Sequence, residues 1–153
     1  MAAANFDIYV EQGATWRLSL VYGRKDGTLD SQGNPNVVPY DLTGCIARMQ
    51  IRQRRGSEVL ISTTTLNGGI VFDTDLTSGK MRISISDEAT DSLTMRSAKY
   101  DLELEYPSGD VVRLLQGNVT ISGNITQDAD LDNISPGVTY PYELDEELVP
   151  GPD

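Results

Sequence analysis

The sequence predicts an all-β protein, and three features carry that prediction. Apolar and polar residues alternate in several short runs, which is typical of strands with one buried face. Glycine, asparagine, aspartate and proline separate these runs at near-regular intervals. Helical spacing of apolar residues occurs only around residues 87–95. We therefore predict an immunoglobulin-like antiparallel β-sandwich with one short helical turn and an extended C-terminal arm. A small barrel or jelly roll is the second choice.

The clearest strand pair is predicted within residues 97–121. Acidic residues alternate with apolar ones in its first half, where the apolar residues are Tyr100, Leu102, Leu104 and Tyr106. The segment 107–110, Pro-Ser-Gly-Asp, has the residues of a tight turn. The alternation then resumes in the second half, with Leu115, Gly117, Val119 and Ile121 on the predicted inner face. This pattern indicates an antiparallel hairpin.

The remaining strands follow from the same alternation. They are predicted at 6–11, 15–22, 45–52, 58–64, 70–72 and 81–86. Trp16 and Cys45 fall on predicted inner faces, where a thiol behaves as a small hydrophobe. Residues 23–40 have two turn signals and little periodicity, which indicates a long loop or a small hairpin insertion.

Composition narrows the function classes. The 153-residue chain has a net charge of -11, which disfavours binding to a phosphate backbone, so no nucleic-acid partner is predicted. It has one cysteine and no histidine, which excludes an internal disulfide, a cysteine-based metal cluster and the commonest general base, and leaves a bond from Cys45 to a partner as the alternative to a buried thiol. No catalytic residue, cofactor or metal site is predicted. The N-terminus lacks the pattern of a secretion signal, and no apolar run approaches the ~20 residues that cross a bilayer, so no membrane insertion is expected.

Two other function classes have candidate residues. Glu103 and Glu105 share a predicted strand face at roughly 6–7 Å, a spacing that a glycan hydrolase can use. A solvated charged face is the favoured interpretation of these two carboxylates. A carbohydrate- or receptor-binding module would present aromatic side chains on loops, and Tyr22, Tyr40, Tyr140 and Tyr142 are the candidates.

The composition changes after residue 122. Residues 1–122 are predicted to form the sandwich, and residues 123–153 form an acidic, proline-containing arm with few apolar residues. Such a segment cannot bury enough apolar surface to fold alone. It is either a disordered tail or an arm that becomes ordered along a neighbour's surface. In the second case the residues predicted to contact the partner are Tyr140, Tyr142, Leu144, Leu148 and Val149.

Three motifs carry a resemblance to a known group of proteins. They are Gln12-Gly13 before the second predicted strand, the segment 41–44 (DLTG) before the third, and the hairpin YDLE…SGDVVRLLQG over 100–117. In this order they resemble small β-sandwich modules of tailed bacteriophages. The most similar are the N-terminal domain of phage baseplate upper proteins and related tail, fibre and neck proteins. The likeness covers residues 6–122.

The resemblance implies a structural role. It implies an immunoglobulin-like module without enzymatic activity that joins tail, baseplate or fibre components of a virion, in several symmetry-related copies, after synthesis in the host cytoplasm. Other phage structural proteins would be its partners. A neck or capsid-decoration protein of the same particle is the alternative. Residues 23–40 form a longer insertion than is usual in these modules.

Overall fold

The structure, a computed structural model, describes residues 3–123 and 145–148. Two sheets and a separate hairpin account for most of this part of the chain. The strands are β1 (Ala4–Asn5), β2 (Ile8–Glu11), β3 (Trp16–Val21), β4 (Gly23–Leu29), β5 (Pro35–Pro39), β6 (Ile46–Arg52), β7 (Val59–Thr64), β8 (Ile70–Phe72), β9 (Lys80–Ile85), β10 (Ser97–Glu105), β11 (Val111–Ser122) and β12 (Asp145–Leu148). A 3₁₀ turn (Leu76–Ser78) precedes β9, and the helix α1 (Asp87–Asp91) follows it.

The strands form two facing sheets. Sheet A has the order β1-β11-β10-β6-β7, and β2 also pairs with β11. Sheet B has the order β12-β3-β9-β8. The predicted all-β sandwich is confirmed, and the immunoglobulin-like connection of its strands stays a prediction.

Pairing direction differs between the centre and the periphery of the sheets. β10 runs antiparallel to both β11 and β6, and β9 runs antiparallel to β3 and β8. By contrast, β1 and β2 pair with β11 in parallel, and β12 pairs with β3 in parallel. Strands that pair in parallel cannot be joined by a tight hairpin, so local turn signals do not reveal them. The predicted antiparallel pairing thus holds for the central strands, and the outer strands add parallel pairs that the sequence did not indicate.

The core follows the predicted alternation. Ala47, Met49 and Ile51 of β6 are buried, whereas the intervening residues are partly exposed. In β10 the buried residues likewise alternate with half-buried acidic ones. Trp16 packs against this core from the start of β3.

A β-bulge in β11 changes the pattern at one point. Leu102 pairs with Leu115, but the next residue, Glu103, pairs with Arg113, so Leu114 is the extra residue of the bulge. Leu114 and Leu115 are both buried as a result. The strand thereby adds one large side chain to the core beyond those that strict alternation predicts.

Residues 23–40 form a hairpin and not a loop. β4 and β5 pair antiparallel with each other and with no other described strand. Most of their residues are exposed. Of the two interpretations of this segment, the hairpin insertion is confirmed.

Cys45 lies just before β6 and is half-buried, packed against the core. Burial, and to a lesser extent the Asp41 carboxylate, raises the pKa of the Cys45 thiol above its ordinary value. A thiol with a raised pKa is a weaker nucleophile at neutral pH, because less of it is ionised. This agrees with the predicted hydrophobic role.

The short helical turn is confirmed as α1. The Ser86 side chain accepts a 3.1 Å hydrogen bond from the Ala89 N–H, which is a typical N-cap interaction. Thr90 is fully buried and faces the connection between β2 and β3. The helix therefore packs over the turn from which β3 begins.

Candidate protein-interaction edge

The strand β12 lies on the outer edge of sheet B. It pairs with β3 in a parallel register that sets Asp145 opposite Arg17 and Leu148 opposite Leu20. Leu148, predicted as a partner-binding residue, thus lies at a strand edge within its own chain. The other residues predicted for that role lie outside the described part of the chain; they are Tyr140, Tyr142, Leu144 and Val149.

β3 is suited to receive an added strand. Its inner residues Leu18 and Leu20 are buried in the core, so the strand itself is held firmly. On one side β3 pairs along its whole length with β9. Its other side would present a row of main-chain N–H and C=O groups, and β12 occupies that position.

Charge complementarity accompanies this pairing. Every charged residue of β3, β9 and β8 is a cation, and these residues are Arg17, Lys80 and Arg82. β12 contains only acids besides its leucine. The three ion pairs among the described side chains all lie on sheet A, so they do not neutralise these cations. Sheet B therefore favours an acidic strand at its β3 edge.

The turn from which β3 begins is fixed by α1. The Gly13 N–H donates a 3.1 Å hydrogen bond to Thr90 Oγ1, and that hydroxyl donates a 2.8 Å bond to the Ala14 carbonyl. Gln12 Nε2 donates to the Asp91 carbonyl at 3.0 Å. These contacts hold the N-terminal end of β3 in place, beside the first residue of β12.

A second surface feature lies on the outer face of sheet A. A polar concavity of about 830 Å³ is lined by residues that include Gln50, Arg52, Asp101 and Arg113. Desolvation raises the pKa of Asp101 above its ordinary value, with a further contribution from the Glu103 carboxylate. An ion pair of 3.4 Å with Arg113 opposes that shift. The polar groups of this face are largely paired with one another.

Glu103 and Glu105 lie on this same face, as predicted. Arg48 contacts both: its Nε is 3.4 Å from Glu103 Oε1, and its Nη2 is 3.5 Å from Glu105 Oε1. One guanidinium thus bridges the two carboxylates across the strands. This geometry is typical of a cross-strand ion pair that supports a sheet.

Tyr22 and Tyr40, two of the tyrosines considered for sugar binding, pack against each other and do not form a pair of exposed rings. Tyr22 is only 2% exposed, and its hydroxyl lies 3.2 Å from that of Tyr106. The Tyr40 ring packs against it with centroids 4.5 Å apart. Tyr22, a candidate for sugar binding, is therefore buried at the base of the β4–β5 hairpin and does not present its ring to a ligand. Tyr140 and Tyr142 lie outside the described residues.

Loop carboxylates have local structural partners. In three loops an aspartate accepts hydrogen bonds from both the backbone N–H and the hydroxyl of the threonine two residues later, which is an Asx-type turn. The pairs are Asp26 with Thr28, Asp41 with Thr43, and Asp75 with Thr77. These hydrogen bonds lower the pKa of each of the three carboxyl groups. The repeated Asp-x-Thr sequence is the signal from which these three turns can be recognised.

Comparison of the sequence with models of known families found no match, and comparison with curated proteins found no similar protein either. Within residues 3–123 and 145–148, no group of three or more histidine, cysteine or acidic side chains is placed to hold a metal ion. No helix in the described part of the chain is long and apolar enough to cross a membrane.

Proposed function

We propose that the protein is a structural component of a tailed-bacteriophage particle, where it joins tail, baseplate or fibre proteins by protein–protein contacts. The observation that carries this proposal is the addition of β12 to the β3 edge. In this pairing an acidic strand, Asp145–Leu148, lies along the β3 edge, which supports a role for that edge in strand addition. Strand addition is a common mode of protein recognition, with main-chain hydrogen bonds supplying affinity. The resemblance of residues 6–122 to phage β-sandwich modules supports the same role.

The order of the strands supports the immunoglobulin-like part of the proposal. In immunoglobulin variable domains the G, F, C and C′ strands form one sheet, and the B, E and D strands form the other. Sheet A has the order β11-β10-β6-β7 and sheet B the order β3-β9-β8. The strands match the immunoglobulin order both along the chain and across each sheet. In this match β3, β6, β7, β8, β9, β10 and β11 correspond in turn to strands B, C, C′, D, E, F and G. In this assignment β1 and β2 are an A strand that is parallel to G.

The opposite edges of the sandwich provide a second contact surface. β7 ends sheet A and β8 ends sheet B, and both strands carry an exposed valine. Val59 is 39% exposed and Val71 is 58% exposed, while Leu66 in the connecting turn is 80% exposed. Neighbouring subunits would bury these apolar side chains. Repetition of such contacts by symmetry makes individually weak interactions sufficient.

Particle composition tests this proposal. Phage particles are purified by density gradient from cells that carry the whole phage genome, and their proteins are quantified by mass spectrometry. The protein is expected at a fixed stoichiometry relative to the tail proteins, and antibody labelling in electron micrographs is expected at the tail or baseplate. Recovery only in the unassembled fraction of the lysate would contradict the proposal. Labelling at the neck or the capsid would favour the alternative location in the particle.

A carbohydrate- or receptor-binding module is the second candidate function, favoured by the polar concavity on sheet A. Guanidinium, carboxylate and amide groups converge there, and such groups hydrogen-bond to hydroxyl-rich ligands. A glycan array with the intact protein tests this candidate. Binding that Gln50→Ala abolishes and Gln32→Ala in the β4–β5 turn preserves would support it. An absence of glycan binding would remove it.

A further inference from the structure

We propose that β12 is an exchangeable strand, and that in the assembled state residues 145–148 of one copy occupy the β3 edge of a second copy of this chain. This inference rests on the proposed function, because it names the partner for one of the contacts in the particle. The occupant is an acidic strand, Asp-Glu-Glu-Leu, in the same parallel register that the structure has within one chain.

The two ends of the connection between β11 and β12 lie close together. Ser122 at the end of β11 pairs with Glu11, and Asp145 at the start of β12 pairs with Arg17. Glu11 and Arg17 are joined by a path of six residues, which spans at most ~22 Å. With one strand spacing of ~5 Å at each end, the two ends of the connection are no more than roughly 32 Å apart.

The chain between these ends is much longer than that distance requires. Residues 123–144 separate β11 from β12. A connection of that length reaches ~75 Å when extended, more than twice the distance to the β3 edge of the same copy. A domain of this size has a radius of gyration of only ~14 Å. The connection is therefore long enough to deliver β12 to the equivalent edge of an adjoining copy.

The main-chain pairing of β12 with β3 would be the same within one copy and between two copies. A second copy's residues 145–148 would make the same main-chain pairing with β3 and place the same acidic residue, Asp145, opposite Arg17. The choice between the two arrangements then depends on the relative concentration of the two strands. A tethered strand has an effective concentration of ~mM, and adjacent copies in a symmetric particle provide neighbouring strands at similar concentration.

Exchange also protects the edge. If β12 left β3 and no other strand replaced it, β3 would expose unpaired N–H and C=O groups, which favour aggregation. Replacement by the strand of a second copy leaves those groups paired again once the exchange is complete. The same exchange links each copy to the next, as in domain-swapped oligomers.

Disulfide trapping tests the exchange. All variants carry Cys45→Ala, which removes the natural thiol. One preparation carries Ser19→Cys and another carries Glu147→Cys, because the register sets these two positions opposite each other. Paired strands are ~5 Å apart, which falls within the Cα distance range of disulfides. The two preparations are mixed at ~mM total concentration, oxidised and separated on a non-reducing gel.

We expect a disulfide-linked dimer with a bond between positions 19 and 147, identified by mass spectrometry, and a yield that rises with protein concentration. The matched control replaces Ser19→Cys with Ser62→Cys on β7, an exposed position on the opposite edge, and is expected to give no dimer. The double variant, with both substitutions in one chain, is expected to form the bond within the chain at low concentration.

Two results would overturn the inference. The first is a bond within the double variant at every concentration, without a dimer in the mixture. The second is no bond in either sample, because the β12–β3 register would then itself be wrong. The first result leaves the proposed virion role intact, since particle composition tests that role independently.

Discussion

Thr90 and Gly13, which are 77 residues apart in the chain, are joined by a 3.1 Å hydrogen bond from the Gly13 N–H to the Thr90 hydroxyl oxygen. The hydroxyl in turn donates a 2.8 Å hydrogen bond to the Ala14 carbonyl oxygen. A buried side chain of α1 therefore satisfies two main-chain groups of the turn between β2 and β3. The position of β3, and with it the edge that receives β12, depends on this contact.

Thr90→Val tests that dependence. The substitution keeps the shape of the side chain but leaves the Gly13 N–H and the Ala14 carbonyl without this partner. We expect a loss of ~1–3 kcal/mol in the free energy of unfolding, measured by urea denaturation. Thr90→Ser is the control, because it retains the hydroxyl and should lose less. A smaller loss for Thr90→Val than for Thr90→Ser would show that the methyl group stabilises the turn more than the hydroxyl does.

The Tyr100 hydroxyl, which donates a hydrogen bond to the Phe6 carbonyl, predicts an alkaline limit to stability. Burial, and to a lesser extent the Asp7 carboxylate, raises the pKa of Tyr100 above its ordinary value. The folded protein therefore binds this proton more tightly than the unfolded chain does. Its contribution to stability is complete below the ordinary tyrosine pKa of ~10 and is lost as the pH rises above it.

Tyr100→Phe is accordingly expected to lower the free energy of unfolding by ~1 kcal/mol at pH 8. Between pH ~9 and ~11, about one unit on either side of the ordinary pKa, its free energy of unfolding should fall less than that of the unmodified protein. Thermal unfolding followed by circular dichroism measures both quantities. Tyr9→Phe is the matched control, since Tyr9 is 69% exposed and its substitution should cost little stability at pH 8. Parallel pH profiles for Tyr100→Phe and the unmodified protein would contradict the assignment.

Gly117 lies where the N-terminal segment crosses β11. A Cβ atom at this position would be 2.3 Å from the Phe6 carbonyl oxygen, which is a backbone atom and cannot rotate away. Gly117→Ala is expected to cost ~1–3 kcal/mol and to weaken the pairing of β1 with β11. Gly123→Ala is the control, because nothing lies within 4 Å of its added Cβ. Equal melting temperatures for the two variants would contradict this packing.

The acidic strand on the cationic edge predicts an effect of charge reversal. Arg17→Glu places an acid opposite Asp145 and should reduce the amide-exchange protection of residues 145–148 up to ~5-fold, the size expected for ~1 kcal/mol. Asp145→Lys added to Arg17→Glu should restore the protection. Arg24→Glu on the exposed β4 strand is the control. An equal loss for Arg17→Glu and Arg24→Glu would indicate a general charge effect only.

Much of the sandwich was predictable because its central strands have one buried face. In β6 and β10 the side chains point alternately inward and outward, so Met49, Ile51 and Leu102 could be assigned to the core from their spacing. The turn at 107–110 was equally readable, since proline and glycine restrict the backbone there in known ways.

The long-range features were not predictable from local pattern. The pairing of β12 with β3 joins segments more than a hundred residues apart, and its sequence DEEL has little intrinsic preference for a strand. Tyr22 was a candidate for sugar binding, yet its side chain is buried beside the hairpin that follows it. The role of Thr90 depends on a contact with a distant turn. In each case tertiary packing decides what the local sequence leaves open.

Amide hydrogen exchange of the intact protein most directly tests the central claim that the arm closes the β3 edge. The account predicts that residues 145–148 exchange slowly, together with the outward-facing amides of β3. It also predicts that truncation after Gly123 speeds exchange in β3 while β10 stays protected. Exchange of residues 145–148 at the rate of an unstructured peptide, with β3 unaffected by the truncation, would contradict it.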